Sequence, residues 1–187
     1  MRILRESKLT EYAEQFWNRQ RAKPSPDDLT ALEDIRTSGD CIGWLVDLYP
    51  YKLPHLYNST MSVVLVESVS DVERFLIHKY MLTDEWTTER CLVPCPKSRR
   101  LGDLVRTALQ QNYFESNWPD TQCKLFQEWK GRSSLEGFIE NIERPLIEST
   151  WVNEHEIVDG WGRLHALLAL VRAGLRFAPF ECFLASR

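Results

Sequence analysis

At 187 residues, 43% apolar and 27% charged, the chain is long enough to bury a core, and its composition is not that of a disordered or fibrous protein. A net charge of −4 and a pI near 5.6 run against a surface dedicated to nucleic acid, which is usually basic. No apolar run reaches the roughly 18 residues that span a bilayer, so no membrane partner is expected.

The chain opens on Met1 to Arg5, which is no apolar leader and runs into a polar helix. Leu9, Tyr12, Ala13, Phe16 and Trp17 fall three or four apart and predict a helix with one apolar face over residues 9–23. Pro24 stops it. Ser25, Pro26, Asp27 and Asp28 read as the cap and acidic first turn of a second helix, ending near Gly39. Residues 41–57 are aromatic and proline-containing and read as a short helix or turn and a loop.

Residues 62–67 are β-branched and apolar and predict a strand. Ser70 and Glu73 have capping-box spacing and predict a helix through Met81. A short strand is expected over 89–93. The basic residues Lys97, Arg99 and Arg100 precede an amphipathic helix over 101–113. Asn117 to Asp120 reads as a turn and as the junction between two regions, 1–117 and 118–187. Residues 121–129 fit either a helix or a strand, and Ser133 with Glu136 forms another capping box.

The last third carries the clearest chemistry. An apolar strand, His155 to Asp159, meets Gly160-Trp161-Gly162-Arg163 and opens a helix. A helix start offers unpaired N–H groups and partial positive charge, which suits an anion. Arg163 adds a guanidinium fork for phosphate or carboxylate, and the two glycines permit close approach. Asp159 reads either as the helix N-cap or as a carboxylate beside Mg²⁺. Trp161 either stacks on a base or caps the core. His165 lies off the Arg163 face and reads as packed before catalytic. Glu154 and Glu156 share one face of the incoming hairpin, as a solvated tip or as a base or metal ligand.

Five cysteines, an odd number, suit free thiols in a reducing cytoplasm. Cys91 and Cys95 lack a second pair at zinc spacing, so no metal centre is expected. There is no Walker loop and no Gly-x-Ser-x-Gly elbow.

The stretch from Ser133 to Ser186 resembles the ParB/sulfiredoxin-like superfamily. The residues that carry the likeness are the helix 135–142, the Pro145-led strand 144–150 and a hairpin around Asn153. They continue in the strand 155–159, the Gly160 turn with Arg163 and Ala166, a helix to about 173 and the strand 177–184. Gly162 stands where the pattern's first arginine is usual. Trp161 replaces the cysteine of the sulfiredoxin branch, so a thiolate reaction is not expected.

The resemblance implies a mixed-sheet C-terminal portion, and with the helical reading of the first half the expected fold is α+β (mixed α/β). The resemblance also implies ATP or CTP binding with Mg²⁺ at Gly160, Trp161, Gly162, Arg163 and His165. It extends to nucleotide hydrolysis or phosphate transfer, with Asp159 and Glu156 as the acidic groups. The alternative is a non-catalytic binding or adaptor protein, with a protein partner for the aromatic N-terminal half. A DNA nuclease or other DNA-associated role is the third. The helix-turn-helix domain of the partitioning proteins is not expected, because the sequence ends at Arg187.

Overall fold

The computed structural model describes residues 1–22, 56, 59–77, 99–115, 121–141, 143–150, 152 and 154–186. The expected second helix, the aromatic loop, the strand over 89–93, Cys91 and Cys95 lie outside them, as do Lys97 and the 117/118 junction.

The protein is α+β, with helices on both faces of a mixed sheet. Among the described residues, in chain order, the elements are β1 (Arg2–Ser7), α1 (Leu9–Ala22), β2 (Thr60–Val66), α2 (Val69–Arg74) and β3 (Leu76–Ile77). They continue as α3 (Leu101–Gln110), α4 (Thr121–Trp129), α5 (Glu136–Asn141), β4 (Leu146–Ser149), β5 (His155–Asp159), α6 (Trp161–Arg172) and β6 (Phe180–Ser186). The sheet order is β1-β2-β6-β4-β5-β3. β4 runs parallel to β6, and β3 to β5; the other pairings are antiparallel. Strands from both sides of residue 118 thus share one sheet.

Alternation along β6 explains the layering, because successive side chains leave on opposite faces. Cys182 and Leu184 join the larger core under α3, α4 and α6. Phe183 and Ala185 join Tyr12, Ala13 and Phe16 of α1, with Met61 and Val63 of β2, on the other face. Tyr12 meets Phe183 edge-on at 5.7 Å, the favoured aromatic geometry.

Several local expectations are corrected. The residues before α1 are a strand, β1, made by pairing with β2 rather than by any apolar alternation of their own. The edge it forms is blunted by a register shift between Ile3 and Arg5 and by its charges. Arg5 reaches Glu11 at 2.9 Å and Arg2 reaches Glu67 at 3.3 Å. Together with Ser7 (2.7 Å), Arg5 holds the Glu11 carboxyl down to about 2.

The helix after β2 is capped by Ser68, whose Oγ accepts the Asp71 N–H at 3.3 Å, and not by Ser70. It stops at Arg74 because Leu76 and Ile77 pair with Glu156 and Ile157. Residues 121–129 are helical. Ahead of α5 it is Ser134, not Ser133, that accepts the Glu136 N–H, at 3.0 Å.

Candidate functional site

β5 ends at Asp159 and α6 begins at Trp161, with Gly160 as the N-cap at φ 85° and ψ 14°, in the left-handed region. Only glycine holds that conformation without strain. Space demands it as well, since a Cβ at 160 would stand 3.0 Å from Pro145 Cβ and 3.0 Å from Arg163 Nη2. The Leu164 N–H bonds the Gly160 carbonyl at 3.0 Å and closes the first turn. The expected turn is therefore present, but no side chain caps it, which corrects the N-cap reading of Asp159.

Asp159 instead faces Arg163. Arg163 Nη2 donates to Asp159 Oδ2 at 3.1 Å. Its Nη1 donates to the Glu143 carbonyl at 3.1 Å and to Glu143 Oε2 at 3.3 Å. The Arg163 side chain is 12% exposed, so two carboxylates and a carbonyl occupy its donors in a largely buried place. A phosphate arriving here meets two carboxylates first. We expect Arg163→Met to destabilise the fold by about 2 kcal/mol, because it leaves charged acceptors without their donor. Urea unfolding checks this, and an unchanged midpoint would mean the clamp contributes nothing.

His165 is fully buried, and among the described residues neither ring nitrogen has a hydrogen-bond partner. Trp161 stacks on it at 5.3 Å, Tyr113 lies nearly parallel at 6.1 Å, and Phe114 meets it edge-on at 4.8 Å. Burial pushes its pKa down to about 3, so the ring is neutral at pH 7. It is packed, and far from the proton chemistry of a base poised near neutral pH. Trp161, half-buried, lies against the core through this ring. Gly162 sits under Gln122, whose Oε1 would stand 3.2 Å from a Cβ there. Gln122 in turn donates to the Tyr113 hydroxyl at 2.6 Å.

The remaining acids are engaged elsewhere. Glu156 pairs with Arg99, and Glu154 stands 4.0 Å from Arg100, so the described part of the basic cluster closes on the hairpin. Glu156 and Asp159 are not brought to a common centre with Arg163. Among the described residues no three His, Cys, Asp or Glu side chains gather to suit a metal ion. The Cys182 thiol is buried, and burial pushes it up, away from thiolate reactivity.

Beside the Arg163 clamp lies a cleft of about 460 Å³ that the sequence does not advertise. Leu65, Ile139, Pro179 and Phe180 supply its apolar lining. Gln15, Glu140, Glu143, Arg144 and Glu181 supply the polar groups. Leu65 and Glu181 are register partners of β2 and β6, which places them side by side. Gln15 of α1 fixes the chain at Arg144, donating to its carbonyl at 3.0 Å and accepting its N–H at 3.3 Å. The Arg144 guanidinium bonds Glu181 at 2.6 Å and lies over the Phe183 ring. The only local signal is the run Glu140-Asn141-Ile142-Glu143-Arg144 at the end of α5, and the other wall comes from three distant segments.

No helix among the described residues is long and apolar enough to cross a membrane. No family model, curated protein or solved structure matches this chain.

Proposed function

We propose that this chain is a non-catalytic binding protein, built on a fold that resembles the ParB/sulfiredoxin-like superfamily over residues 133–186, and that its ligand sits in the cleft beside Glu143 and Arg144. One observation carries the reading: the guanidinium that a phosphate site at the Gly160 turn needs is shared by Asp159 and Glu143. The fork is spent on internal carboxylates, and the acids expected to do chemistry lie apart. The neighbouring cleft has the size of a binding pocket and a mixed lining in which polar and charged residues slightly outnumber apolar ones.

The second reading keeps ATP or CTP with Mg²⁺ at residues 160–163. The uncapped left-handed turn at the head of a 12-residue helix favours it. In that case phosphate and Mg²⁺ must take the places of Arg163 and the two carboxylates in the clamp.

Thermal unfolding with ATP or CTP, each with Mg²⁺, separates the two. A ligand of the folded state at 100 times its Kd adds about 2.7 kcal/mol and raises the midpoint by several degrees. The binding-protein reading predicts no shift at millimolar nucleotide. A shift that is lost in Arg163→Lys would replace it with the nucleotide reading.

A further inference from the structure

We infer that the cleft takes a lysine or arginine side chain from a basic segment of a partner protein, with an apolar neighbour of that residue on the cleft floor. The inference rests on the binding-protein reading and names its partner.

Charge decides the sign of the ligand. Among the described residues, Glu140, Glu143 and Glu181 line the cleft with one guanidinium, Arg144. Arg144 is bonded to Glu181 and stands 3.9 Å from Glu11. Two further cations stand close by: Arg163 is shared between Glu143 and Asp159, and Arg5 is paired with Glu11. Among the described residues, five carboxylates (Glu11, Glu140, Glu143, Asp159, Glu181) therefore stand around three guanidiniums (Arg5, Arg144, Arg163). Glu140 is exposed at the end of α5, the natural landing point for an incoming cation. An anion would meet this excess as repulsion, and a cation as attraction.

Shape decides what carries the charge. Leu65, Ile139 and Pro179 offer the cleft apolar atoms beside the carboxylates, while Phe180 points into the larger core. A polyamine spaces ammonium groups along its whole length and would set some of them over that apolar surface, at a desolvation cost. A basic side chain puts its stem on apolar atoms and its head in a charged rim. A cleft of about 460 Å³ has room for a leucine-like neighbour as well.

The test uses the full chain and a fluorescein-labelled peptide of alternating lysine and leucine, read by anisotropy. Companion peptides replace leucine with serine, or lysine with glutamate, and unlabelled spermidine is the competitor. The expected result is saturable binding of the lysine–leucine peptide, at least tenfold weaker for the serine version and absent for the glutamate version. Glu140→Lys, a surface change that leaves the fold intact, should weaken binding at least tenfold, while spermidine should fail to displace the peptide at equal concentration.

Absent binding, equal binding of the acidic peptide or an unchanged Kd in Glu140→Lys would overturn the inference. So would displacement by equimolar spermidine, which would make the ligand a small polyamine. These results leave the reading beneath it standing; only a nucleotide-dependent shift removes that.

Discussion

Replacing His165 with Leu should make this protein more stable, with a midpoint raised by about 4–8 °C at neutral pH, corresponding to about 2 kcal/mol. Substitutions of fully buried residues usually destabilise, so the expected sign is diagnostic. The imidazole has two buried nitrogens without partners among the described residues, and each carries an uncompensated desolvation cost. Leu has a similar volume and no polar atom, and loses only the ring contacts with Trp161, Tyr113 and Phe114.

The pH profile gives a second signature. The folded-state pKa, about 3, lies below the ordinary histidine value of 6.5. The unfolded chain therefore binds the proton first as pH falls. Stability from this group is complete above pH 6.5 and is lost between pH 6.5 and 3, by up to about 1.4 kcal/mol for each pH unit. Wild type should weaken steadily over pH 6.5 to 4.5, above the range where most carboxylates titrate, and His165→Leu should show a smaller slope there, left by His155, whose pKa burial also lowers. Equal slopes in the two proteins, or a destabilised variant at pH 7, would show that the ring nitrogens find partners.

Gly160→Ala is the second large effect, with an expected loss of about 3 kcal/mol. Positive φ costs an L-residue about 1–2 kcal/mol. The new methyl would also press on Pro145 and on Arg163 Nη2, loosening the clamp. Gly131 supplies the control: its φ is 86°, close to that of Gly160, yet nothing lies within 4 Å of an added Cβ. Gly131→Ala should therefore show the backbone term alone, and the difference between the two variants measures the contact with Pro145 and Arg163. Equal losses in urea unfolding would mean the close approach at Gly160 has no energetic weight.

The Gly160 turn was legible because its cause is local: a strand pattern, a glycine and a helix pattern stand side by side. The order of α5, β4, β5, α6 and β6 was legible for the same reason. β1 was not. Its residues are exposed and charged, and only partnership with β2, more than fifty residues on, makes them a strand. The end of α2 was hidden likewise, since Leu76 and Ile77 are extended only by pairing with β5.

Arg163 shows the limit most clearly. Read by itself it is a phosphate fork, and Asp159, four residues before it, is a cap. Glu143 sits 20 residues upstream, and its approach converts both into an internal ion cluster. The cleft is assembled from α1, β2, α5 and β6, so no window of sequence contains it.

Amide chemical-shift mapping on ¹⁵N-labelled protein tests the central claim most directly, with CTP–Mg²⁺, ATP–Mg²⁺ and the lysine–leucine peptide titrated in turn. A tied-off turn beside a working cleft predicts peptide-dependent shifts at Leu65, Ile139, Glu140 and Glu181, with Gly160, Gly162 and Arg163 unmoved by either nucleotide. Saturable nucleotide-dependent shifts at Gly160, Gly162 and Arg163, with the cleft silent to peptide, would contradict it.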